Sequence, residues 1–96
     1  MNELPRRVRL LIDGRVQGVG YRWWFETRAR ELGVAGWVRN LRDGKVEAEI
    51  QGMPDAVSAA ISAAGNGPPV ARVTSVGVTE LDADPEIRDF SRMPTV

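Results

Sequence analysis

Histidine and cysteine are both missing from this 96-residue chain, and the two absences remove most of the familiar catalytic repertoire. Without cysteine there is no disulfide, no thiolate nucleophile and no cysteine-bound metal. Without histidine no imidazole can shuttle protons near neutral pH, and neither a Ser-His-Asp nor a Cys-His arrangement can exist. A zinc site would have to be built from carboxylates alone, so no metal and no cofactor is expected. Lysine is nearly missing as well, with Lys45 standing alone beside twelve arginines. The net charge is +0, which argues against a general nucleic-acid binder. No apolar run approaches a membrane span and no signal-peptide core is present, so a cytoplasmic protein with no membrane partner is expected.

What remains is arginine, asparagine, glutamine, carboxylates, hydroxyls and backbone amides, an inventory suited to binding and positioning an anion. The length is that of about one small domain. The hydrophobic and charged fractions, 43% and 27%, are those of an ordinary globular protein. Charge is unevenly spread: residues 1–48 hold ten basic and six acidic side chains, residues 49–96 three and seven.

The pattern along the chain reads as strand, helix, strand, strand, helix, strand. "RVRLLIDG" alternates, with Val8, Leu10 and Ile12 on one face. Tyr21, Trp24, Phe25, Arg28, Ala29 and Leu32 follow helical spacing up to a stop at Gly33. "GWVRNL" and "KVEAEIQG" flank the hairpin signal Asp43-Gly44. In "MPDAVSAAISAAG", Pro54 suits a first helical turn, Val57, Ile61 and Ala64 form a stripe, and Gly65 is the expected stop. "RVTSVGVTEL" is a strand whose alternation shifts phase, as at a bulge. The tail admits a short edge strand around Phe90, limited by Pro94. Right-handed crossovers turn this order into an α+β fold, the ferredoxin-like split βαβ sandwich (βαββαβ). It has an antiparallel sheet of four to five strands with two helices on one face.

The most informative stretch is "DGRVQGVGYRWW", Asp13–Trp24, where three glycines join a strand end to a helix start. Helix-start amides lack internal partners and sit at the positive end of the dipole. Glycines let successive N–H groups turn into one concavity, a nest for an anion. Arg22, in the first turn, would add a planar fork shaped for phosphate oxygens. The competing reading is a tight turn with a solvated arginine. No Gly-Lys-Ser/Thr follows, so it is not a Walker A loop, and the glycine spacing does not fit a dinucleotide fingerprint.

"GRVQGVGYR", "LGVAGWVRNLRDGKVEAEIQG" and "GPPVARV" together closely resemble the acylphosphatase family, over about Val8 to Val78. The resemblance implies residues 1–96 as a single acylphosphatase-like domain with the fold derived above. It implies an enzyme hydrolysing the carboxyl–phosphate bond of acyl phosphates to carboxylate and inorganic phosphate, without metal, cofactor or covalent intermediate. Arg22 then matches the phosphate-binding catalytic arginine and Asn40 the asparagine holding the attacking water. The backbone of Arg15, Val16, Gln17, Gly18, Val19 and Gly20 matches the phosphate cradle. The partner is a small-molecule acyl phosphate, with inorganic phosphate as product and competitive inhibitor, and a monomer is expected. "FSRMPTV" departs from the family's more regular ending, and "YRWWF" is heavier in aromatics than the family pattern.

The chemistry agrees with this inventory, because an acyl phosphate is already activated. What is left is holding the phosphoryl group, stabilising its charge and placing a water in line. Asp13 and Asp43 are the nearest candidates for a phospho-aspartate, and strand-end and turn roles are the alternatives. Trp23 could wall a substrate or cover a strand, Gln17 could brace the loop, and Thr27 could support it. Arg39 and Arg42 could steer anions or be solvated. Two rival functions are a non-catalytic anion-binding module and an RNA-binding module. The latter would need outward aromatics on the central strands, which "RLLID" and "VEAEI" do not offer.

Overall fold

The alternation of Val8, Leu10 and Ile12 places three side chains on one face of the first strand, and all three are fully buried. The computed structural model describes residues 4–96, and within them β1 spans Arg6–Arg15, α1 Tyr21–Leu32, β2 Ala35–Asn40, β3 Val46–Gly52, α2 Pro54–Asn66, β4 Arg72–Leu81 and β5 Phe90–Arg92. The five strands form one sheet of order β4-β1-β3-β2-β5. Tyr21, Phe25 and Ala29 of α1 and Val57, Ala60 and Ala64 of α2 close over the apolar face. Each large side chain so buried contributes about 1.5–3 kcal/mol. No helix among the described residues is long and apolar enough to cross a membrane.

The ferredoxin-like α+β arrangement is present, with one correction: the sheet is mixed, not antiparallel. β1 pairs antiparallel with β3 and β4, and β3 with β2, but β5 runs parallel to β2. The cause is the path of residues 82–89, which leave one sheet edge and reach the other across a single end of the sheet. A chain crossing there can only return in the direction of β2. Gln51 holds this crossing by exchanging two hydrogen bonds with the Asp84 backbone, at 2.9 and 2.7 Å, and Arg7 donates to the Asp82 carbonyl at 3.1 Å.

Two further expectations shift. α2 runs past Gly65 to Asn66, and Gly67 is the stop, with φ 68° and ψ 178° and its N–H donating to the Ala63 carbonyl. The buried Tyr21 hydroxyl donates to the Ala64 carbonyl at 2.7 Å, fixing that last turn against α1. Arg28, placed on the apolar stripe by spacing, is exposed and pairs with Glu31. The short edge strand around Phe90 does form, and the chain beyond it stays beside β2. Met93 N–H donates to Val38 at 2.8 Å, Val96 N–H to Asn40 at 3.2 Å, and Arg42 N–H to Val96 at 2.9 Å. Pro94 is tolerated because an edge position need not donate.

The other sheet face carries charge. Glu47 accepts from Arg9 at 2.6 Å and from Arg39 at 2.7 Å, and Arg7 pairs with Glu49. Trp37 lies beneath the Arg39 guanidinium, 4.6 Å away. Burial pushes the Glu47 carboxyl upward, but the hydrogen bonds and charges of Arg9 and Arg39 outweigh it and hold the group below its ordinary value of 4.5. A depressed carboxyl stabilises the fold fully above that ordinary value and loses its contribution as pH falls through the lowered one. Glu47→Gln is therefore expected to cost about 1–2 kcal/mol at pH 7. The gap to the parent should shrink below about pH 4 in urea melts.

Candidate active site

The site begins where β1 leaves the sheet. Between Asp13 and Gly14 the pairing with β4 slips, Asp13 facing Ser75 and Gly14 facing Val73, so Thr74 is left over as a bulge. This is the phase shift seen in "RVTSVGVTEL". Gly14 has φ 128°, and a Cβ there would lie 2.0 Å from the Arg72 carbonyl oxygen, so no other residue fits. Asp13 accepts the Gly14 N–H at 2.9 Å, a strand-end role. Asp43 accepts the Lys45 N–H at 3.0 Å in the β2–β3 turn, and neither aspartate lines the cavity described below.

From Arg15 the chain turns into the loop preceding α1. Val16 is buried and anchors the loop in the core. Gln17 Nε2 donates to the carbonyls of Leu41 at 2.6 Å and Lys45 at 2.9 Å, bracing the loop against the β2–β3 hairpin. Gly18 and Gly20 have φ 75° and 77° with open space around them. Backbone conformation, not crowding, favours glycine there. Gly20 is the N-cap of α1, no side chain caps that end, and no acidic residue lies in its first turn. The amides and dipole at this terminus are accordingly directed at whatever anion enters.

A cavity of about 140 Å³ opens at this terminus. The loop contributes Val16, Gly18 and Gly20, and the first turn of α1 contributes Tyr21, Arg22 and Trp23. Asn40 enters from the end of β2 and Arg92 from β5. A water molecule occupies roughly 30 Å³, so the space suits a phosphoryl-sized group with one water. Arg22 and Asn40, eighteen positions apart in sequence, meet here. Of the six residues Arg15 to Gly20, Arg15, Gln17 and Val19 do not line the cavity. Arg39 is turned to the other sheet face with Glu47, and Thr27 bonds within its helix, its hydroxyl donating to the Trp23 carbonyl at 3.0 Å. Trp23 is 61% exposed and walls the cavity, whereas Trp24 packs partly into the core beside Tyr21. Arg92 was missed by sequence reasoning. No sequence signal marks it: β5 is three residues long, and only the structure shows that Arg92 shares the helix side of that strand with Phe90.

An uncapped helix start behind a glycine loop, set on this sheet, defines a class of small α+β proteins suited to gripping a compact anion. Within it, the chain belongs to the acylphosphatase family, whose Acylphosphatase model matches residues 8–92. An acylphosphatase of Nitrobacter hamburgensis is 48% identical, with 100% of both chains covered. One from Thermococcus kodakarensis is 61% identical over 75% of this chain and 79% of its own. The crystal structure of acylphosphatase from Bacillus subtilis superposes with TM-score 0.88 at 38% identity, covering 92% of this chain and 98% of that one.

Proposed function

We propose that this protein is an acylphosphatase in which Arg22 grips the phosphoryl group, Asn40 places the attacking water, and the Arg15–Gly20 backbone cradles the phosphate oxygens. The observation that carries the reading is the convergence of Arg22, Asn40 and the glycine loop on one phosphate-sized cavity. The residues fit the reaction step by step. The amides of the loop and helix start, with the guanidinium, neutralise the phosphoryl oxygens. The Asn40 side-chain amide holds water in line with the scissile bond. As the water oxygen bonds to phosphorus, the P–O bond to the acyl group breaks and the carboxylate departs without needing a proton. The water's proton passes to a phosphate oxygen, so no protein base is required. Acceleration then comes from positioning and preorganised charge. We read residues 1–96 as one domain acting as a monomer in the cytoplasm.

Guanidinium, carboxamide and backbone amides do not change charge near neutrality, and they supply the positive field that a cation would otherwise provide. Benzoyl phosphate hydrolysis is expected to persist after exhaustive EDTA treatment, with little gain from magnesium, and inorganic phosphate should compete with substrate. Loss of activity in EDTA with recovery on adding a divalent metal would overturn the mechanism.

A further inference from the structure

Arg92 reaches the cavity from the edge strand β5, and the mechanism above does not use it. Its position is built, not incidental. Phe90, two residues earlier, packs edge-on against Phe25 with ring centroids 5.9 Å apart. Strand alternation therefore turns Arg92 toward the helix layer, and its register opposite Val38 sets it close to Asn40. There the Glu26 side chain, only 12% exposed, pairs with Arg92 Nε at 3.1 Å and with Arg30 at 2.9 Å. Arg30 also donates to the Phe90 carbonyl at 2.9 Å. One carboxylate thus fixes two guanidiniums and ties β5 to α1, and the cluster keeps a net positive charge. Glu26 lies one helical turn beyond Arg22, so the tether holds Arg92 on the same side of α1 as the catalytic arginine.

The charge lining the cavity is one-sided: among the described residues, Arg22 and Arg92 are the only charged ones on its wall. A phosphoryl group near neutral pH carries between one and two negative charges, and a single guanidinium balances one. In a space of about 140 Å³ an occupying phosphoryl group has both arginines as neighbours. We propose that Arg92 is a second phosphoryl-binding guanidinium, with Glu26 as its positioning residue. This rests on reading the cavity as the phosphate site. A side chain already held by Glu26 loses less conformational freedom on gripping its ligand.

The test is binding of inorganic phosphate, measured by calorimetry from about pH 6 to about pH 8, across the second ionisation of phosphate. The parent should bind more tightly as the dianion forms. Arg92→Gln should weaken binding roughly tenfold and remove most of that tightening, and Arg92→Lys should fall between them. A merely structural role would lower the melting temperature and leave the pH profile as in the parent. Affinity within about twofold of the parent with an unchanged profile would overturn the proposal. So would a defect confined to acyl phosphates bearing a further carboxylate, because Arg92 would then serve the acyl group. Binding is read without turnover, which separates the two ideas. Arg92-dependent phosphate binding in a protein that hydrolysed nothing would uphold this role and sink the hydrolase, and an active enzyme whose phosphate binding ignored Arg92 would do the reverse.

Discussion

Arg22→Lys is expected to lower kcat/KM for benzoyl phosphate by roughly a hundred- to a thousandfold, about 3–4 kcal/mol of transition-state stabilisation. The charge is retained, so a general electrostatic role would predict a small effect. What is lost is the planar fork that holds two phosphoryl oxygens at once and stays matched to them as the P–O bond lengthens. Arg22 sits in the first turn of α1, its Cα fixed by the Gly20 cap and by the Trp24 N–H bond to the Gly20 carbonyl at 3.0 Å. The shorter reach and different shape of lysine cannot be made good by moving the backbone. Both KM and kcat should suffer, since the fork is engaged in ground and transition states. The fold should be intact by circular dichroism, because Arg22 makes no ion pair among the described residues. A variant turning over at the parental rate would end this assignment.

Asn40→Ala should behave differently. If the carboxamide holds water and not phosphate, kcat falls by roughly a hundredfold or more while inorganic phosphate binds within about threefold of the parent. Asn40 is placed for this by its neighbours: its residue pairs with Val46 on one side, and its carbonyl accepts from Val96 on the other, at 3.2 Å. The side chain can be removed with the strand left in place. Should phosphate affinity collapse together with the rate, Asn40 belongs to the cradle and another group must position the water.

Much of this arrangement was legible because it is local. Val8, Leu10 and Ile12 announced a buried strand face by alternation alone, Asp43-Gly44 announced the hairpin, and the glycines of Asp13–Trp24 announced an unusual helix start. Arg22 stood out from its place behind the glycine loop, Asn40 came from the family resemblance, and the fold's order explains how they meet. The features that escaped are those decided by tertiary partners. Gly65 and Gly67 are equally good stops by residue type, and the choice was made by the Tyr21 hydroxyl reaching Ala64. The parallel pairing of β5 follows from the route of residues 82–89, which no periodicity encodes. Arg92 lies in a strand of three residues, too short for a period to show, and its meaning depends on Glu26, Arg30 and the edge of β2.

The pairing of β1 with both β3 and β4 has a temporal consequence. Val8 faces Ile50 on one side and Glu80 on the other, so the central strand waits for partners made much later in the chain. Contacts of such wide separation carry a large loop-closure cost before they return any stability, and domains dominated by them fold in milliseconds to seconds, not microseconds. During synthesis the segment carrying Arg22 and Asn40 emerges long before the strands that brace it. The bulge opposite Gly14 needs β4, and the outer support of Asn40 needs residues 90–96. The chain must therefore pass through a period in which its anion loop exists as sequence but not as shape. Until β4 and β5 arrive, the edges of β1 and β2 that they cover stay open to pairing with other chains.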